Sequence, residues 1–495
     1  MKNCVIIGSG LGGLSCGCIL SKNGYDVTVL EQGTQIGGCL QCFQRDGVTF
    51  DTGMHYVGSA EQGQTLNVIL RYLGIADKVK FSKLDSLGYD VISLRGEHYA
   101  YANGKEAFVE TLAKKFPDRG RDIARYYDLV KMVASNSAIH SLNRKVDLSV
   151  NAEYQLRSVN EVIGHVTTDT MLKEILAGIT PLYAGVENQT PFSTHALIMD
   201  FYNQSASRII GGSSIVAKSL TDIIAKNDGK VLTRHKAVKI ECDSAKATAV
   251  VTAEGERFPA DLIVSAIHPS NTIAIIESHI LRPAYMKRMA RIKNTVSVFT
   301  VYLKFKKDTV RYMNSNLFVY MGNSVWNCEK YDELQWPKYI LYMHFCHKDN
   351  PIFAESGEII TYMDYDDVRQ WVGTTIGKRG DAYEEFKQAK AEQVISDLEK
   401  EIPGISKSIE KFYTSTPLTY KDYTDTPYGS MYGAAKDIRT IGSGNISCRT
   451  RIPNLLLAGQ SITSHGMMGV LAGSLMTCAE VLTMDEIFNQ IRNVN

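Results

Sequence analysis

The chain carries no excess charge of either sign. Its 54 Lys and Arg residues face 53 Asp and Glu, for a formal net charge of +1, so no broad field argues for a nucleic-acid partner. It has no disulfide framework either. Ten cysteines in 495 residues are too few for a scaffold, and Cys4, Cys16, Cys18, Cys39 and Cys42 read as small buried residues of a reducing compartment. Cys39 and Cys42 have the spacing of a redox pair or half a metal site. No second cysteine pair at zinc spacing follows, so the packing reading is favoured and no metal is assigned. Cys346 stands beside His344 and His347 in a run, Tyr339 to His347, that alternates like a strand and sends adjacent side chains to opposite faces. No segment reads as a membrane span, because Ile462 to Leu475 is broken by glycines and polar residues. There is no internal repeat and no low-complexity stretch. The stretch after Lys2 is uncharged to Leu20, as in a signal peptide, but cleavage there would destroy a glycine turn. The expected location is cytoplasmic, with membrane association left open.

What is present is concentrated in the first 53 residues. Cys4 to Ile7 is a short apolar run that reads as a buried strand. It feeds Gly8-Ser9-Gly10-Leu11-Gly12-Gly13, then a small-residue helix, then a second run, Val27 to Leu30, ending in Glu31. Strand, glycine turn, helix, strand, acid is the order a dinucleotide-binding unit requires. Gly8 permits the turn, Gly10 lets a pyrophosphate approach the backbone, and Gly13 lets helix and strand pack closely. The helix N-terminus offers unpaired N–H groups and a positive dipole end to phosphates. Glu31, about 20 residues past the glycines, is placed to accept hydrogen bonds from ribose hydroxyls. With 44% hydrophobic and 22% charged residues, the composition is that of a soluble globular protein of two or more domains.

Past Glu31 come the doublet Gly37-Gly38 and the segment Phe50-Asp51-Thr52-Gly53-Met54-His55-Tyr56. Together with the glycine motif and the acid, they resemble the flavoprotein group of phytoene desaturases, carotenoid isomerases and retinol saturases, within the amine-oxidase-like FAD superfamily. The Phe50–Tyr56 segment is most similar to the saturase and isomerase branch. The resemblance runs over essentially the whole length. It implies an α/β fold in which a Rossmann-type FAD-binding domain (residues 1–75, 205–275 and 441–495) is interleaved with a mixed α+β substrate domain (76–204 and 276–440).

The same resemblance implies further FAD contacts. Gly211-Gly212-Ser213 would open the helix where the chain returns to the FAD domain. Val238 would meet the adenine. Gly459, Gln460, Gly469 and Val470 would close the flavin site, and Gln460 replaces the acid that many relatives carry for the ribityl chain. With Gly8, Gly10, Gly12, Gly13, Glu31, Gly37 and Gly38, these are the expected cofactor residues.

FAD supplies hydride chemistry, and the protein supplies position, polarity and exclusion of water. No second glycine fingerprint follows a strand. Gly442-Ser443-Gly444-Asn445 lacks the third glycine, so no dedicated nicotinamide domain is expected. Electrons would pass to or from an external carrier, a quinone, oxygen, or NAD(P)H bound transiently. A carbon–carbon double bond in a polyene offers no handle for strong acid–base catalysis, and its site would be an apolar tunnel with few polar groups. His55, Tyr56 and His465 are the polar candidates beside the flavin, with His55 open to a second reading as a satisfied buried histidine. His195 reads as packing. Arg282 to Lys293 is a basic amphipathic segment, fit either for an anionic membrane surface or for plain solvation.

The expected function is saturation, desaturation or isomerisation of double bonds in a lipophilic polyene or isoprenoid. Two alternatives stand beside it. One is a flavin amine oxidase. The other is a non-catalytic isoprenoid-binding escort protein of the same fold, against which the intact Gly8, Gly10, Gly13 and Glu31 argue.

Overall fold

The computed structural model describes residues 2–277, 279–347, 350–440 and 446–494. The segment Gly442–Asn445 and the boundary at 441 lie outside the described residues. At the centre of the first layer is a five-stranded parallel sheet. Its spatial order is Lys230–Leu232, Tyr25–Leu30, Lys2–Ile7, Leu262–Ser265, Leu455–Leu457. Strands this apolar suit a parallel sheet covered on both faces. The helix Leu11–Lys22 lies on it, buried along nearly its whole length. It owes that fit to small residues: a Cβ on Gly17 would stand 2.9 Å from Ile224 Cδ1. Helices Ser214–Lys226 and Gly466–Cys478 flank it. The glycine turn, Glu31 and Gly459 therefore share the carboxyl edge of one sheet, the place where open α/β sheets bind ligands.

The run from Val231 to Val264 divides between two sheets. Lys230–Leu232 and Leu262–Ser265 join the parallel sheet, whereas Ala237–Cys242, Ala247–Thr252 and Arg257–Pro259 form a separate antiparallel one. The break falls where Arg234 turns the backbone with φ 61°.

A seven-stranded mixed sheet builds the second layer. Its order is Ile409–Ser415, Ser297–Phe305, Asn350–Met363, Tyr339–His347, Asn316–Tyr320, Asp90–Leu94, Glu97–Tyr101. The strand Ser297–Phe305 alternates as its sequence predicts, but nearly all of it is buried. Phe299, Val301 and Leu303 pack with Leu398 and Val394 of the helix Asp381–Glu401, while Val298 enters a different core with Tyr339 and Tyr362. The two layers meet through a small sheet of Val57–Gly58, Ala206–Ile209 and Phe81–Lys83, which leads the chain past His55.

Candidate functional site

A cavity of about 450 Å³ runs between the layers. One end is walled by Gly8, Gly10, Glu31 and Lys236. The other is walled by Met54, His55, Tyr420 and Tyr432.

The glycines at the first end do different work. Gly8 has φ +96°, open to glycine and strained for other residues. A Cβ on Gly13 would lie 1.9 Å from the Gly8 carbonyl oxygen, so Gly13 is a packing glycine. Gly10 meets nothing within 4 Å and lines the cavity. It is also the N-cap of Leu11–Lys22, which has no side-chain cap and no acid in its first turn. Those N–H groups and that dipole end are left for a ligand anion. Gly37 and Gly38, both at positive φ, bring a second backbone turn against the first: Gly37 N–H donates to the Ser9 carbonyl at 3.1 Å.

Glu31 is held in place. Its Oε2 accepts from Ser9 N–H at 3.0 Å and from the Ser9 hydroxyl at 2.6 Å, and its Oε1 accepts from Gly33 N–H at 2.7 Å. At the opposite wall stand Gly459, Gln460 and Val470. Gly469 lies outside the lining; its Cα packs on Ser464, whose Cβ a Gly469 Cβ would meet at 2.7 Å. Gly466 and Met467 line the cavity from that helix instead.

Val238 also falls outside the lining, with a side chain 41% exposed. The pairing register shifts between Ala237 and Lys239, which makes Val238 the extra residue of a bulge. A bulge releases that residue's backbone from the ladder and bends the strand, so Lys236 and Ala237 form this wall.

At the far end the three polar candidates separate. His55 lines the cavity. Its Nδ1 lies 2.7 Å from Glu358 Oε2, with side chains 9% and 1% exposed. The approach is close enough for an ion pair and misaligned for a linear hydrogen bond, and Nε2 has no hydrogen-bond partner among the described residues. Burial alone would lower the imidazole, but the Glu358 carboxylate more than offsets it and the net shift is upward. Burial likewise raises the Glu358 carboxyl, against the opposing pull of His55.

Tyr56 points the other way. Its hydroxyl donates to Asp90 Oδ2 at 3.0 Å, and its ring lies 4.7 Å from that of Tyr202, inside a core shared with Tyr89, Tyr101 and Tyr339. Residues 55 and 56 are consecutive in the irregular stretch before Val57–Gly58, and only His55 turns its side chain to the cavity. His465 does not line this cavity. Its Nε2 meets the Leu182 carbonyl at 2.9 Å and its ring lies 4.2 Å from that of Tyr432. It faces a second cavity of about 620 Å³ behind Tyr432. Burial lowers it to about 4, which leaves it neutral.

Other sequence features settle into structural roles. His195 is fully buried between the Tyr126 and Tyr183 hydroxyls, at 2.6 and 2.8 Å. His344 contacts the Met313 N–H and the Tyr342 hydroxyl; the side chain of His347 is outside the described residues. Cys39 and Cys42 are free thiols. No group of three or more His, Cys, Asp or Glu residues among the described residues is placed to hold a metal ion. Glu358 and Tyr420 were not foreseen. Glu358 lies in Asn350–Met363, a strand whose neighbours in sequence look like any buried strand.

These features define a dinucleotide cradle facing an aromatic chamber. The model of the family described as flavin containing amine oxidoreductase matches residues 11–482, and the chain belongs to that family. It is a flavin-dependent oxidoreductase. All-trans-retinol 13,14-reductase of Homo sapiens is 28% identical, over 99% of this chain and 87% of that protein. Prolycopene isomerase 1, chloroplastic, of an Oncidium hybrid cultivar is 23% identical, over 97% of this chain and 84% of that protein. Among solved structures, an oxidoreductase from Methanosarcina mazei has a TM-score of 0.66 at 16% identity, covering 96% of this chain and 99% of that one; this likeness concerns the fold.

FAD fits the residues present. The uncapped helix and the open face of Gly10 suit a diphosphate, and the anchored Glu31 carboxylate suits a ribose. The escort reading, which expects a damaged cradle, has no support in this geometry. Among the described residues no helix is long and apolar enough to cross a membrane.

Proposed function

We propose that this flavoprotein saturates, desaturates or isomerises carbon–carbon double bonds of a lipophilic polyene or isoprenoid. The observation that carries this reading is the far end of the cavity. Leu40, Met54, Tyr420, Met431 and Tyr432 surround it, with His55 as its buried ionisable pair member. A chamber that is apolar and aromatic with few polar groups matches a substrate whose reacting atoms are hydrocarbon. The relatives support the same class, being named for a retinol reductase and a prolycopene isomerase.

In this reading residues 1–75, 205–275 and 441–495 hold the cofactor, and 76–204 and 276–440 hold the substrate. The glycine turn and the Leu11–Lys22 helix end bind the diphosphate, Glu31 binds the ribose, and Gln460 with the start of Gly466–Cys478 borders the flavin. Bound FAD supplies the two-electron chemistry. The layers exclude water from the reacting end, and Tyr420 is fixed there by contacts with Thr300 Oγ1 at 3.1 Å and the Thr52 carbonyl at 3.3 Å. NAD(P)H arriving transiently, or another external carrier, would exchange electrons. The apolar residues Tyr285, Met286 and Met289 of the helix Pro283–Ala290 pack on the core, so its basic residues would meet an anionic membrane by charge.

The test is mass spectrometry of host lipid extracts with and without the expressed protein. A polyene heavier or lighter by two hydrogens, or an isomer shift at constant mass, is the expected result. An unchanged polyene profile in a host that makes polyenes, with the flavin bound, overturns the reading.

A further inference from the structure

The cavity's reacting end holds a charged pair that a purely apolar site has no need of. Glu358 lies in an inner strand, opposite Tyr302 on one side and Met343 on the other. Its carboxylate is 1% exposed, and its Oε2 finds His55 at 2.7 Å but no aligned hydrogen bond. Burying a carboxylate there is costly unless a cation accompanies it. His55 is that partner. It sits on the connection between Val48–Asp51 and Val57–Gly58, and it lines the cavity with a buried Nε2 that no atom of the described residues satisfies. A buried ring nitrogen without a protein partner is matched to a group the protein does not itself contain.

We propose that His55 is the proton donor to a substrate carbon in a reductive reaction, and that Glu358 is the positioning residue that orients its imidazole and pairs with its charge. This rests on the polyene reading and deepens it by naming the direction: saturation.

Reducing a double bond consumes one hydride and one proton. The π bond breaks and two C–H bonds form. Bound flavin, reduced beforehand by an external two-electron donor such as a dihydronicotinamide, would supply the hydride equivalent. The proton leaves Nε2, the N–H electron pair stays on the ring, and the neutral imidazole remains beside the Glu358 carboxylate until solvent reprotonates it. Desaturation would require an unprotonated base at this point. The other groups facing the pair are Asp51 from the strand Val48–Asp51, Arg208 from Ala206–Ile209, Tyr302 from Ser297–Phe305 and Tyr420 from Pro417–Thr424. Arg208 opposes charge on the ring and donates to the His55 carbonyl at 3.4 Å. Asp51 favours that charge, though its Oδ1 is engaged by Ser213 N–H at 2.7 Å. The net direction stays toward imidazolium.

The test uses the flavin-loaded full chain with ¹⁵N-labelled histidine, His55 being assigned by its loss in His55→Gln. Both His55 nitrogens are expected to titrate at higher pH than a free histidine, the direction set by the Glu358 carboxylate. Glu358→Gln, whose neutral amide is easier to bury, moves the titration to lower pH, and Glu358→Asp restores part of it. A titration at or below that of a free histidine, or one indifferent to Glu358→Gln, overturns the pairing without any substrate. In ²H₂O, with all-trans-retinol as the polyene probe and chemically reduced flavin, the product gains deuterium on both carbons of the reduced bond, because the flavin N–H also exchanges with solvent. His55→Gln and His55→Asn slow this step by roughly 10²- to 10⁴-fold, the usual range for a general acid, with the flavin spectrum unchanged. A variant that reduces retinol at the wild-type rate overturns the donor role. Wild type that leaves polyenes untouched overturns the substrate reading, and with it the assignment of the acceptor carbon.

Discussion

Gly12 stands against Gly459: a Cβ built on Gly12 would lie 2.8 Å from the Gly459 Cα and 2.9 Å from its nitrogen. The first glycine turn and the last are thus in backbone contact, and the cradle closes only when the C-terminal strand Leu455–Leu457 has joined the sheet.

The glycines separate structure from ligand. Gly13→Ala places a methyl 1.9 Å from the Gly8 carbonyl oxygen. It must push the helix off the strand, at a cost on the order of 1–3 kcal/mol. Gly10→Ala meets no protein atom within 4 Å and fills space the diphosphate would take. Thermal unfolding of the flavin-free protein should fall for Gly13→Ala and hold for Gly10→Ala, while both lose flavin absorbance. Equal melting losses would contradict this division.

Glu31 accepts three hydrogen bonds from Ser9 and Gly33, which orient its carboxylate toward the cavity. Glu31→Gln keeps the shape and removes the charge. Hydrogen bonds to a charged group contribute about 1.5–3 kcal/mol, so the FAD dissociation constant should rise about 10- to 150-fold. Fluorescence titration of the flavin-free variant measures it; an unchanged constant means the ribose lies elsewhere.

Asp90 is fully buried, accepting from the Tyr56 hydroxyl at 3.0 Å and Asn316 Nδ2 at 2.8 Å. Burial raises its carboxyl from 3.8 to about 7, against the opposing hydrogen bonds from Asn316 and Tyr56. Between those values the folded state binds more protons than the unfolded one, so the stability contribution present below pH 4 is lost as pH rises through 7. The full swing is on the order of 4 kcal/mol. Asn mimics the neutral acid, so Asp90→Asn should gain stability relative to wild type from pH 5 to pH 8. Urea unfolding at both pH values checks the sign, and a pH-independent difference would refute it.

The readable parts of the chain were those where ligand chemistry dictates local sequence. A diphosphate needs glycine at Gly8 and Gly10 and a helix start beyond, and those demands fall within a few residues of one another. The helix Asp381–Glu401 and the paired strands Asp90–Leu94 and Glu97–Tyr101 likewise follow from periodicity. Partners brought together by the fold were not readable. Nothing around Glu358 distinguishes it until two strands of the seven-stranded sheet bring it under His55. Val238 was displaced by a bulge, a register shift that no periodicity announces. His465 precedes a glycine at a helix start, as expected, but the turn aims its ring at the Leu182 carbonyl. Tyr56 adjoins His55 in the same motif, and only the fold shows its hydroxyl turned to Asp90.

The Cys39-x-x-Cys42 spacing admits a redox reading that the environment opposes. Cys42 Sγ lies 3.2 Å from Asp51 Oδ1. Burial and then that carboxylate push its thiol up to about 11, and burial raises Cys39 as well. The thiolate is the reactive form, and a free cysteine near 8.5 is far richer in it. At pH 8, Cys42 should be alkylated about two orders of magnitude more slowly than a free thiol, given the thiolate fractions at those two values. Intact-mass spectrometry of the native protein should show both cysteines reduced after exposure to oxidised glutathione. Cys42→Ala should retain flavin absorbance. Rapid labelling of Cys42, or a mass loss of two hydrogens in the peptide spanning both thiols, would restore the dithiol as a participant in electron transfer to the flavin.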